Sequence, residues 1–227
     1  MYRNNLSGAE FWTSPHKAIT LLGMSGAGKT TLASRLPQRT WFHYSGDYRI
    51  GTRYLGEAIL DNAKREAMKS PLLAELLRSD SIYLCNNITI NNLKPLSGFL
   101  GMVGDPALGG LGIDEFKRRQ ALHRDAEVCS MLDVREFIDK SSEIYGYPHF
   151  INDAGGSLCE LDEPGVLEQL AEDTLIVYLK PSDEMLEKII ERSMDEPKPM
   201  YYRSEFLDHV LPEYLEEFSL SHPNEIV

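Results

Sequence analysis

An apolar run that leads into a glycine-rich segment with a lysine constrains the fold of this chain more than any other feature. Residues 17–22 are mostly apolar and predict a short buried strand. The segment from Gly23 to Thr30 has the spacing G-x-x-x-x-G-K-[ST]. Residues 30–36 favour a helix that stops before Pro37. A strand, a glycine loop and a helix in this order predict an α/β fold with an anion-binding loop.

The spacing of this loop has a chemical reason. Glycines let successive backbone N–H groups turn inward around phosphate oxygens, and the following helix adds its positive N-terminal end. Lys29 is expected to reach the β- and γ-phosphates, and the hydroxyl of Thr30 to ligate Mg²⁺. A chance match in a flexible loop is the alternative, and the flanking strand and helix count against it. We predict that ATP with Mg²⁺ binds to Gly23, Met24, Ser25, Gly26, Ala27, Gly28, Lys29, Thr30 and Thr31.

The rest of the chain alternates between strand and helix patterns. Further strands are predicted at residues 40–44, 149–152 and 174–179, and the last run is continuously apolar, as expected of a strand buried on both faces. Asp133 and Glu136 have the spacing of a capping box at a helix start. Alternating strands and helices predict a mostly parallel sheet with right-handed crossovers. Further helices are predicted at about 54–69, 70–78, 114–131, 163–172, 183–193 and 205–218.

Composition limits the partners. Lys plus Arg is 23 and Asp plus Glu is 35, so the net charge is −12 and nucleic-acid binding is not expected. The three cysteines are sparse and far apart, which favours a reducing compartment. No signal peptide and no run of about 20 apolar residues is found, so we expect a cytoplasmic protein without membrane contact. The oligomeric state is left open.

Two aspartates follow predicted strands. Asp153 ends the strand at 149–152 and precedes Ala-Gly-Gly, and Asp47 follows the strand at 40–44. Open α/β sheets bind ligands at the carboxyl ends of parallel strands, so we predict that Asp153 holds Mg²⁺ with Thr30 and that Asp47 belongs to the same site. A turn or capping aspartate is the alternative for each.

Residues 23–31, 46–49 and 192–203 together resemble the nucleoside monophosphate kinase-like superfamily of small P-loop kinases. The resemblance implies a three-layer α/β/α P-loop NTPase fold with a mostly parallel central sheet and a lid at about 192–204. The chain departs from that pattern in a helical and glycine-rich insertion at about 80–145, which is longer than a minimal kinase needs. The polar residues 1–15 predict an N-terminal arm, and 16–227 are expected to form one domain. A fifth strand, usual in that group, is not found after the lid, so the chain is either a fragment or has a four-stranded core.

The resemblance also implies roles. Asp47 would orient or deprotonate a phosphoryl acceptor, and Arg49, with Arg53 one helical turn on, would bind an anionic group of that acceptor. A solvated ion pair is the alternative for these arginines. In the lid, Arg192, Lys198 and Arg203 would close over the transferring phosphoryl group, and catalysis would rest on Lys29, Asp47, Asp153, Arg192 and Arg203.

The insertion has more than one interpretation. If it forms an acceptor-binding lobe, Lys117, Arg118, Arg119 and Arg124 are its anion ligands; otherwise they form a solvated helix face. Residues 80–113, rich in glycine, are expected to be a mobile functional loop or a poorly ordered excursion.

Three functions follow from these expectations. The first is a kinase that transfers the γ-phosphoryl group of Mg-ATP to a small anionic acceptor such as a nucleoside monophosphate. The second is an ATPase or ATP-gated switch that transfers phosphate only to water. The third is an inactive module that keeps only the phosphate-binding loop.

Overall fold

The computed structural model describes residues 7–195 and 199–226, and its centre is a parallel β-sheet. The sheet is formed by β1 (Lys17–Leu22), β2 (Trp41–Ser45), β3 (His149–Asp153) and β4 (Leu175–Tyr178). Their order is β2-β3-β1-β4, and every neighbouring pair is parallel. Asp153 pairs in register with Leu21 on one side and Ser45 on the other, so the ends of β1, β2 and β3 lie at one edge.

Helices follow each strand. The α-helices are α1 (Gly8–Thr13), α2 (Lys29–Arg35), α3 (Gly46–Arg49), α4 (Gly56–Ala67), α5 (Pro71–Arg78), α6 (Lys94–Leu100), α7 (Ile113–Leu132), α8 (Val134–Glu143), α9 (Pro164–Asp173), α10 (Asp183–Asp195) and α11 (Ser204–Glu217). A π-helical turn, Ile50–Tyr54, extends α3, and 3₁₀ turns occur at Pro106–Leu108, Leu158–Glu160 and Pro223–Glu225.

Each face of the sheet has its own apolar cluster, because successive strand residues point to opposite faces. On one face Ala18 and Phe150 pack with Met131 and Val134 from α7 and α8 and with Leu170 from α9. On the other face Leu21 and Ile151 pack with Ala33 of α2. Helices therefore cover both faces, as a three-layer α/β/α arrangement requires.

The predicted α/β class and parallel sheet are confirmed, and two local predictions are wrong. β4 is an edge strand whose residues are only partly buried, so its continuous apolar run does not mark burial on both faces. Asp133 has helical backbone angles and its side chain does not cap α8. The reason is that Asp133 is the single residue between the end of α7 at Leu132 and the start of α8 at Val134. The sequence 1–15, expected as an arm, contains α1, whose capping box joins Ser7 and Glu10.

The chain divides into two compact units. Unit 1 consists of Met1–Asp47 and Arg124–Tyr201 and contains the sheet; unit 2 consists of Tyr48–His123 and Tyr202–Val227.

The glycine-rich segment in unit 2 contains a turn that backbone hydrogen bonds close. The backbone of Gly104 donates to Leu111 over 3.0 Å, and Gly110 donates to Asp105 over 2.8 Å. A Cβ on Gly110 would lie 2.4 Å from the carbonyl carbon of Gly104, so glycine is required for this close approach. Within the described ranges no helix has the length and apolar character of a membrane span.

Candidate functional site

The loop between β1 and α2 lies at the carboxyl edge of the sheet and depends on glycine for its shape. Gly26 has φ 83° and Gly28 has φ 95°, both in the left-handed region that other residues rarely adopt. Gly28 is the N-cap residue of α2, so the loop ends at the N-terminus of this helix. This is the local arrangement that the sequence predicts for an anion-binding loop.

Lys29 folds back over this loop. Its Nζ donates to the carbonyl oxygens of Gly23, over 2.7 Å, and Met24, over 3.1 Å. The side chain is only 6% exposed. The buried ammonium is therefore held by two neutral carbonyl groups of its own loop, and these are weaker partners for a cation than a bound anion.

Three carboxyl groups share the electrostatic environment of Lys29. Burial lowers the pKa of Lys29, and Asp153, Asp47 and Glu127 oppose this shift in that order. Asp153 and Asp47 are thus brought to the same site as the loop, as the sequence predicts. Asp153 is 5% exposed and its Oδ2 lies 3.6 Å from Nε2 of His43 on β2.

Glu127 is a site residue that sequence reasoning missed. It lies on α7, is 1% exposed, and neither carboxyl oxygen makes a hydrogen bond of ordinary geometry. Burial, and then the charge of Asp47, raise the pKa of Glu127 to about 8, while the Ser157 amide and Lys29 oppose the rise. A carboxyl group with this proton affinity can change its protonation state near neutral pH.

The two glycines after β3 make room for this arrangement. A Cβ on Gly155 would lie 2.1 Å from Oε1 of Glu127, and one on Gly156 would lie 2.8 Å from Cβ of Ser25 in the loop. The sequence Asp153-Ala-Gly-Gly therefore lets the backbone after β3 pass between the Glu127 carboxyl group and the glycine loop.

The chain after β4 and the helix α10 lie next to two glycines of the loop. A Cβ on Gly23 would lie 2.6 Å from the carbonyl oxygen of Leu179, just after β4. Ile189 of α10 is 6% exposed, and its Cγ2 would lie 3.1 Å from a Cβ on Gly26. Glycine at positions 23 and 26 therefore lets the loop lie close to the Leu179 backbone and the Ile189 side chain.

The site can be tested for its fit to Mg²⁺. Thr30 is exposed in the first turn of α2 and Asp153 ends β3, and these offer a hydroxyl and a carboxylate oxygen. The part of the chain that the structure describes has no cluster of three or more His, Cys, Asp or Glu able to hold a metal by itself. A hydroxyl and a carboxylate are oxygen ligands of the kind that Mg²⁺ takes, together with phosphates and water.

The predicted acceptor and lid residues lie on different elements of the two units. Arg49 and Arg53 lie in unit 2, where the guanidinium carbon of Arg49 is 5.7 Å from the Tyr54 ring centroid and Arg53 is exposed. Arg192 is exposed on α10 in unit 1 and donates to the Lys188 carbonyl over 3.1 Å, whereas Arg203 is the N-cap residue of α11 in unit 2. Lys198 lies outside the described residues.

The basic residues of α7 are held by protein partners. Lys117 pairs with Asp208, Arg118 with Glu115 over 2.7 Å, and Arg124 with Glu163 over 2.6 Å. Arg119 is also paired with Glu115. These pairs favour a structural role over anion binding.

A cavity of about 290 Å³ lies at the opposite edge of the sheet, at the amino ends of the strands. Lys17, His149 and Arg135 line it, and Arg135 is paired with Asp173 over 2.5 Å. It is separate from the loop and the three carboxyl groups.

Comparison of the chain with protein-family models, with curated proteins and with solved structures gives no match. The geometry of the site therefore carries the functional argument.

Proposed function

We propose that this protein is a P-loop NTPase-type kinase that transfers the γ-phosphoryl group of Mg-ATP to a small, anionic acceptor such as a nucleoside monophosphate. The observation that carries the proposal is the buried Lys29 ammonium, held by loop carbonyls at the N-terminus of α2 and surrounded by carboxyl groups. A cation in this position is ready to exchange neutral carbonyl partners for phosphate oxygens.

Each part of the site would have one task. The loop amides and Lys29 would hold the β- and γ-phosphates, and Thr30 with Asp153 would hold Mg²⁺, which neutralises charge that develops on the phosphoryl group. Asp47 would face the acceptor, with Arg49 and Arg53 as ligands of its anionic group. Arg192, Lys198 and Arg203 would act as lid cations that stabilise the transferring group. A cytoplasmic location stays a prediction.

An ATPase or ATP-gated switch is the second candidate. The observation that favours it is the pairing of Lys117, Arg118 and Arg124 with carboxylates, which removes them as free ligands for an anionic acceptor. Water would then be the nucleophile in the same site.

Measurement of ADP release separates the two. The full chain with Mg-ATP is assayed alone and with a panel of nucleoside monophosphates and small hydroxy acids. A kinase shows turnover that one acceptor stimulates at least about tenfold above basal hydrolysis. Basal hydrolysis that no acceptor changes supports the ATPase, and ATP binding without any turnover contradicts both.

A further inference from the structure

Glu127 is an unusual group to find at the back of this site. A buried carboxyl group whose oxygens make no hydrogen bond of ordinary geometry is costly, and native proteins rarely keep one without a reason. A glutamine or an apolar residue on α7 would avoid that cost. The Glu127 carboxyl group is 1% exposed and faces the Gly155 backbone, which no other residue type could provide at this distance.

The other carboxyl groups of the site have other tasks. Asp153 lies 3.6 Å from His43 at the end of β3, where the proposed Mg²⁺ site is. Asp47 is half-buried at the start of α3, and its charge raises the pKa of Glu127.

We propose that Glu127 accepts the proton of the nucleophile, whether this is an acceptor hydroxyl or water. This inference rests on the proposed function. In the step, the nucleophile oxygen forms a bond to the γ-phosphorus, and the bond from the γ-phosphorus to the β–γ bridging oxygen breaks. The electron pair of that bond leaves with ADP, and the nucleophile's proton passes to the Glu127 carboxylate.

Access to Glu127 is linked to the nucleotide. Lys29 is buried and close enough to Glu127 to influence its charge. Because Glu127 is 1% exposed, transfer of the proton requires the groups around it to move when the nucleotide binds. Exchange of the Gly23 and Met24 carbonyls for phosphate oxygens would move the Lys29 ammonium.

The pH dependence of turnover follows from the groups around Glu127. With a pKa of about 8, Glu127 is mostly protonated at neutral pH, so turnover rises with pH as the base form is populated. The titratable and charged groups that influence it are Asp47 at the start of α3, Lys29 on α2 and Cys159 in the 3₁₀ turn after β3, with the Ser157 amide beside them. His123 precedes it by one turn on α7.

The test compares Glu127→Gln with the wild-type chain for ATP affinity and for ADP release across pH, with and without acceptor. We expect turnover to fall by about 100-fold or more and ATP affinity to change by less than about threefold. The rise in turnover between about pH 6 and pH 8 should disappear, since no proton acceptor remains. Glu127→Asp, which keeps a carboxyl group, should recover part of the rate and the pH dependence.

Glu143→Gln is the matched control, because Glu143 is exposed on α8 and should leave turnover and affinity unchanged. Glu127→Gln turnover within about threefold of the wild type, or equal losses of turnover and ATP affinity, overturns the proposal. If Glu127→Gln does not fold, a wild-type rate that stays flat between about pH 6 and pH 8 overturns it equally. A wild-type chain that binds ATP without turnover overturns both this inference and the proposed function, whereas an active wild type with an unaffected variant overturns only this one.

Discussion

Unit 1 and unit 2 each bury a cation, and they hold it in different ways. In unit 2, Arg119 is 7% exposed and donates to the Glu115 carboxylate over 2.7 Å and to the Asn62 side chain over 2.9 Å. In unit 1, Lys29 is equally buried, but its hydrogen bonds go to carbonyl oxygens of its own loop.

The difference separates structural cations from binding cations. A buried guanidinium whose donors already have a carboxylate and an amide stabilises the fold around it. A buried ammonium held by neutral carbonyls keeps most of its capacity for an anion. Exposure alone does not distinguish the two residues, whereas their partners do.

The largest effect is expected from Arg119→Ala. The change leaves the Phe99 carbonyl and the Asn62 side chain without their partner, and we expect the free energy of unfolding to fall by about 3 to 5 kcal/mol. Denaturant unfolding measures this. Arg118→Ala, which removes an exposed partner of the same Glu115, should cost less than about 1 kcal/mol. Equal costs for the two variants would remove the distinction between buried and exposed pairs in unit 2.

Lys29→Ala should lower the affinity for ATP. Loss of the ammonium is expected to lower ATP affinity at least about 100-fold, because phosphate oxygens lose their buried cation. Calorimetric titration with Mg-ATP measures the affinity. Lys64→Ala removes an exposed lysine that faces Asp61 over 3.5 Å and should leave the affinity unchanged. Unchanged ATP affinity in Lys29→Ala would contradict both the kinase and the ATPase.

Gly155→Ala tests the close approach of Glu127. The new methyl group would lie 2.1 Å from the carboxyl oxygen, so the side chain or α7 must shift, and we expect a loss of about 2 kcal/mol in unfolding free energy. Thermal unfolding is a suitable measurement. Gly165→Ala, on α9 with open space around it, should be neutral or stabilising. A Gly155→Ala chain as stable as the wild type would show that the carboxyl group is not fixed against this backbone.

Glu127 also introduces a pH dependence of the free energy of unfolding. Its pKa of about 8 in the folded chain exceeds the ordinary 4.5, so the folded state holds a proton that the unfolded state releases between these values. The contribution of Glu127 to the free energy of unfolding is therefore largest below about pH 4.5 and decreases as the pH rises toward 8. Because glutamine does not titrate, the free energy of unfolding of Glu127→Gln should rise relative to that of the wild type as the pH increases over this range. A difference between the two proteins that stays constant with pH would contradict a protonated Glu127.

Local patterns predicted much of unit 1. A motif of eight residues predicts the strand before Gly23, the left-handed glycines and the start of α2. The apolar strand that precedes Asp153 predicts that this carboxylate lies at the carboxyl edge of the sheet. Burial of β4 could not be predicted, because a continuous apolar run looks the same in an edge strand and a central one. Glu127 was missed because its environment comes from Gly155 and Ser157, which are distant in sequence. Its only local signal is a lone carboxylate between Ala126 and Val128.

The packing of Ile189 beneath Gly26 has a mechanical consequence. The helix that carries Arg192 also forms the floor of the glycine loop, with little slack between the Ile189 methyl group and the loop backbone. A side chain at position 26 would press on Ile189, because its Cβ would lie 3.1 Å from that methyl group. Glycine at this position therefore sets how near the loop can lie to the helix that carries Arg192.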